Sequence, residues 1–143
     1  MSSKATRDAI NAAVVAAAAP WATFDLSDYE SASDVMPLID SQAVLIQYVI
    51  ADETMMNIGG EGNQGWEETG SVTLHLLTPT GFDSAPLIDK SDEMRLALRG
   101  RRLGQVVIES VSPFVDFGAG SAGIDGAWKT YSSSLYYYSR DCG

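Results

Sequence analysis

A chain of 143 residues with 45% hydrophobic and 20% charged residues has the size and composition of one folded domain, which excludes intrinsic disorder. Its net charge of −10 argues against tight binding to nucleic-acid phosphates. Its one cysteine, Cys142, excludes an intramolecular disulfide framework or a cysteine-based metal site and fits folding in a reducing cytoplasm.

The first element is a helix from about Lys4 to Ala19. Alanine is the best helix former, and Ala9, Ile10, Ala13, Val14 and Ala17 recur along one side. Pro20 ends it. Lys4 and Arg7 ahead of the apolar run Ala12 to Ala19 invite comparison with a secretory leader, but Asp8 and Asn11 interrupt it and alanine is weakly hydrophobic. No stretch approaches the roughly 20 apolar residues of a membrane span. Trp21 to Phe24 alternates like a short strand. Residues 25–40 are acidic and Ser-rich, contain Pro37, and read as a long surface loop.

Ala43 to Ile50, rich in Val, Leu, Ile and Tyr, is the clearest strand. Asn57 to Gly70 holds five of the thirteen glycines and reads as a flexible loop or hairpin arm, because each glycine loses extra backbone entropy on ordering. Ser71 to Thr78 alternates Val72, Leu74 and Leu76 with Thr73 and His75, which predicts a strand ending at Pro79, with a turn at Thr80-Gly81. A second helix is predicted from about Ala85 to Arg99, with Ser84 as N-cap, Pro86 in the first turn and Gly100 just past the end. Leu87, Ile88, Met94 and Leu98 form its inner face. Gln105 to Phe117 and Trp128 to Tyr138 read as two closing strands around the glycine-rich segment Gly118 to Gly126. The order α-β-β-β-α-β-β predicts one α+β domain over residues 1–143, an antiparallel or mixed sheet of about five strands packed with two helices. Flexible segments are expected at 25–40, 57–70 and 118–126.

Two segments match G-x-G-x-x-G, Gly60 to Gly65 and Gly118 to Gly123. Dinucleotide binding needs those glycines between a strand and a helix, where the helix N-terminus meets the pyrophosphate. Strand-like sequence follows both, and Glu61 and Glu67 stand where phosphate would sit, so no cofactor is expected. His75, the only histidine, alternates with leucines and reads as a sheet residue. Neither a Gly-x-Ser-x-Gly elbow nor EF-hand spacing occurs. Carboxylate pairs arise by chance in so acidic a chain. No catalytic residue or metal ligand is expected, and function is expected to lie in surfaces.

Charge points to those surfaces. The stretch between Arg7 and Lys90 holds no Lys or Arg and thirteen of the nineteen acidic residues. Against it stands the cluster Arg95, Arg99, Arg101 and Arg102. This is either a solvated helix end that complements its own dipole or a contact for the acidic segment of another copy, through paired arginine–carboxylate hydrogen bonds. Tyr131, Tyr136, Tyr137 and Tyr138 suit a half-buried sheet strand or an interface strand. Trp66, in the glycine-rich segment with Glu67 and Glu68 beside it, is a candidate docking residue. The candidate self-association or partner surface is therefore Trp66, Glu67, Glu68, Arg95, Arg99, Arg101 and Arg102.

An N-terminal helix, a strand group interrupted by a glycine-rich loop, the helix sequence SAPLIDKSDEMRLALRG from Ser84 to Gly100, and a closing strand pair together resemble the tail terminator proteins of long-tailed bacteriophages and related gene transfer agents. The likeness is strongest from Gly65 to Tyr138. It implies a non-enzymatic virion protein, assembled in the host cytoplasm, that forms a six-membered homo-oligomeric ring. The ring caps the finished tail tube and presents the surface on which the head docks. The implied partners are other copies of the chain, the tail tube protein and a head-completion or neck protein. DNA would pass through the ring without specific binding, which acidity favours. The alternatives are a head-completion subunit, a tail-tube subunit (against which two helices weigh, tube proteins being more thoroughly β) and an unrelated small acidic ligand-binding α+β module.

Overall fold

The computed structural model describes residues 4–30, 32–35, 38–39, 42–56, 65–79, 85–116 and 128–141. Helix α1 spans Lys4–Ala18 and leads into β1 (Ala22–Asp25), a 3-10 turn at Leu26–Asp28 and the one-turn helix α2 (Ala32–Val35). Two long strands follow, β2 (Ala43–Met56) and β3 (Gly65–Pro79), and then α3 (Ala85–Leu98). The chain closes with β4 (Arg102–Leu103), β5 (Val106–Val111), β6 (Val115–Asp116) and β7 (Trp128–Asp141). Among the described residues one sheet holds seven strands in the order β1-β2-β3-β7-β5-β4, with β6 paired to β7. The β1–β2 pair is parallel and the other pairs among these described strands are antiparallel. The class is α+β with a mixed sheet.

The expected strand count falls short because β4 and β6 are two residues each, too short to carry a periodic signal. The strand expected over Gln105–Phe117 is divided at Ser112-Pro113-Phe114, since proline has no N–H to give to a ladder. The Ser112 N–H still reaches Ser134 O at 2.9 Å.

Period-2 alternation puts two separate cores on the two faces of the sheet. On one face Val44, Ile46, Val72, Leu74, Leu76, Leu135 and Tyr137 meet Ile10 and Val14 of α1 and Leu87, Met94 and Leu98 of α3. On the other, Ala43, Leu45 and Leu77 meet Val35 and Ile39, with Phe24, Leu26, Tyr29 and Trp128 packed alongside. Ala43 to Ile46 is therefore fully buried on both faces, which explains its unbroken hydrophobic run.

Two expectations are corrected and one open choice is decided. Residues 25–40 are not simply a surface loop: the described part lays Val35 and Ile39 over the back of the sheet, with Asp28, Glu30 and Asp34 outward. Of the two readings of residues 57–70, Gly65 to Gly70 follows the hairpin arm and not the flexible loop, because β2 and β7 pair it from both sides and offset the glycine entropy. Ile88 is 45% exposed, and Lys90 and Ser91 take the inward positions of α3 instead. Residues 57–64 and 117–127, the turn at 80–81, Ser84 and Cys142 lie outside the described residues.

Two β-bulges interrupt the ladders at the same height, one at Val49 between Tyr48 and Ile50 and one at Glu109 between Ile108 and Ser110. They flank the central pair Ser71↔Tyr136. A bulge bends its strand and raises local twist, so β2 and β5 both change course at this height, while Val106 and Ile108 beyond it stay in the helix-side core.

Candidate interaction surface

Among the described residues no group of three or more His, Cys, Asp or Glu side chains is placed to hold a metal ion, and no helix is long and apolar enough to cross a membrane.

Two buried polar clusters hold residue types found in catalytic sites. In the first, Gln47 Oε1 only accepts, so His75 Nε2 donates to it at 2.9 Å and Nδ1 accepts from the Ser132 hydroxyl at 2.6 Å. Serine, histidine and an orienting amide thus stand in the sequence a nucleophile and its base would use. However, Ser132 and His75 are 3% and 4% exposed, and burial lowers His75 to about 4. So weak a base is poorly matched to neutral pH. What the arrangement does is clasp β2, β3 and β7 together.

In the second cluster Asp25 accepts from Arg7 Nε at 2.9 Å, from Asn11 Nδ2 at 2.8 Å and from the Ser27 N–H at 2.9 Å. The Tyr48 hydroxyl donates to Asn11 Oδ1 at 2.7 Å. Burial alone raises the Asp25 carboxyl, but the hydrogen bonds from Ser27, Asn11 and Arg7 outweigh it and hold the group below its ordinary value. The bond to Asp25 in turn raises Arg7. This cluster fastens α1 to β1 and β2. Arg7 Nε, Asn11 Nδ2 and the Tyr48 hydroxyl are each committed within the fold.

The expected surface residues separate into two places. Trp66, Glu67 and Glu68 lie on β3 at the end of the sheet beyond the bulges, opposite Met55, Thr54 and Glu53 of β2 and Asp141, Arg140 and Ser139 of β7. Trp66 is 42% exposed. Glu67 is paired with Arg140 at 2.9 Å, and Arg140 stacks over Tyr138. Glu68 is buried.

The arginines sit across the sheet from them. Arg95 is committed within the fold, its Nε donating to Val111 O at 3.0 Å along the outer edge of β5. Arg99, Arg101 and Arg102 are exposed where α3 turns into β4. Gly100, at φ +70°, makes that turn, and Ile108 N–H donates to Arg101 O at 2.9 Å.

No protein-family model matches the chain, and no curated protein matches it.

The registers connect the two places. Asp52, Thr69, Tyr138, Val107 and Arg102 form one row across five strands, and Glu53, Glu68, Ser139, Val106 and Leu103 form the next. Residues directly opposite share a face, so Asp52 and Arg102 lie on the same face at opposite edges. Four inter-strand steps separate them, roughly 19 Å. Among the described residues, Asp52, Glu53, Arg99, Arg101 and Arg102 are all exposed and none takes part in an ion pair. Beyond Ile46 no described strand lies outside β2. Asp52 and Glu53 were hidden from sequence reasoning, since they became an edge only when the register was known. The available signal was the absence of any basic residue between Arg7 and Lys90.

Proposed function

We propose that this chain is a non-enzymatic assembly subunit that closes head to tail into a homo-oligomeric ring, a tail terminator that caps the tail tube and offers the docking surface for the head. The observation that carries the reading is that, among the described residues, one sheet bears exposed acids on its β2 edge and exposed arginines on its β4 edge, none of them in an ion pair. Unlike patches on different parts of one subunit favour heterologous contacts, which close into rings or continue as filaments. The order of elements, with a helix ahead of the strand group and another before the closing strands, supports placing the ring among tail terminators. A net charge of −10 suits a passage through which DNA slides without being held. The exposed Trp66, at the same sheet end, is the residue offered to the tube or neck.

The experiment is electron microscopy with mass measurement of the purified protein, alone and mixed with purified tail tubes. Closed rings of uniform subunit number, seated at tube ends, are expected. A strict monomer in both conditions would overturn the reading.

A further inference from the structure

We infer that the ring contact is an edge-to-edge meeting of the sheet. Asp52 and Glu53 on the β2 edge of one copy face Arg99, Arg101 and Arg102 on the β4 edge of the next. The inference rests on the ring reading and adds to it which surfaces meet and in what alignment.

Three observations carry it. The first is availability: all five side chains are exposed and outside any ion pair among the described residues, and β2 has no outer strand neighbour there among them. The second is exclusion. Two β2 edges brought together would oppose acids to acids, and two β4 edges would oppose arginines to arginines. Like-charge juxtaposition rejects both two-fold pairings and leaves β2 to β4 as the attractive combination. The third is alignment. Asp52 and Arg102 share one face and one row, while Glu53 lies on the helix-covered face, one row on, with Leu103. Arg101, next to Arg102 in the chain, and Arg99 at the end of α3 lie towards that same side. Strands alternate in direction from β2 through β3, β7 and β5 to β4, so β2 and β4 run the same way. Copies related by rotation about a ring axis therefore present these edges in the same sense. The occupant is a second copy of this chain, bound mainly by exposed charges, so the contact weakens as salt rises.

The test uses two full-length charge-reversed variants, D52K/E53K and R99E/R101E/R102E, with folding checked by circular dichroism. Self-association is followed by sedimentation velocity and native mass spectrometry at low salt. Each variant alone is expected to lose at least about tenfold in association, because like charges then oppose at every contact. An equimolar mixture is expected to recover assembly, since each kind supplies what the other lacks. Its rings alternate and so contain the two kinds in equal number. A wild-type protein that assembles while both variants assemble equally well, or a mixture that stays dissociated, overturns this contact and leaves the ring reading standing. A wild-type protein that never assembles, with or without tail tubes, overturns the ring reading and this contact with it. If a reversal does not fold, D52N/E53Q and R99Q/R101Q/R102Q replace the pair. Undiminished association by those neutral variants equally overturns the contact, and loss in each supports it.

Discussion

The Lys90 ammonium lies 3.1 Å from the main-chain oxygen of Ala19, 71 positions earlier in the chain. It also sits over the Trp21 ring and within 3.3 Å of Glu93. The last carbonyls of a helix lack intrahelical donors, and here a buried cation of α3 serves one just past the end of α1. Lys90→Met is expected to lower stability by about 1–2 kcal/mol. Glu93→Gln, which touches only the exposed side of the same cation, is expected to cost under about 0.5 kcal/mol. Urea titration of both variants measures the difference.

Acid sensitivity should arrive in two windows. His75 is held neutral in the fold, its value lowered from 6.5 to about 4 by burial. The unfolded chain therefore takes up a proton first as pH falls. Stability is full above about pH 6.5 and declines towards pH 4, by about 3 kcal/mol at most. Asp25 is also lowered, so its contribution is present above the ordinary carboxylate value of about 4 and is lost as pH falls through its folded value. His75→Gln should flatten the stability profile between pH 6.5 and 4, and Asp25→Asn should flatten only the region below about 4. Denaturant midpoints taken across pH separate the two.

The arginines near the end of α3 should divide by role. Arg95 covers the Val111 carbonyl on an open strand edge, so Arg95→Met should destabilise the fold by about 1–2 kcal/mol. Arg99 is exposed, and Arg99→Ala should change stability by under about 0.5 kcal/mol. Thermal unfolding of the two variants under the same conditions gives the comparison.

Gly100 stands at φ +70° with open space where a Cβ would project. Gly100→Ala should therefore cost about 1–2 kcal/mol through backbone strain alone. A double variant with Arg95→Met tests whether the turn and the edge cap act independently.

Local signals were enough for α1, α3 and the buried halves of β2 and β3. Alanine content, Pro20, Pro86, Gly100 and the alternation around Leu74 each act within a few residues. They failed where partners decided the outcome. Gly65 to Gly70 reads as a loop or a hairpin arm because glycine cost is local, and the ladders to β2 and β7 that decide for the arm come from distant segments. Residues 25–40 looked like a loop because polar composition masked Val35 and Ile39, which cover the back of the sheet. Apolar spacing points Ile88 inward on α3, but Lys90 takes an inward position because the end of α1 lies beside it.

By itself, the sequence determined the class of fold, the two long helices, and a separation of acidic from basic residues along the chain. Those follow from propensity, periodicity and charge, which neighbouring residues set. Only the tertiary structure decided that Asp52 and Arg102 stand in one row at opposite edges of a single sheet. Strand order and register depend on which distant segments pair, and no stretch of the chain encodes that alone.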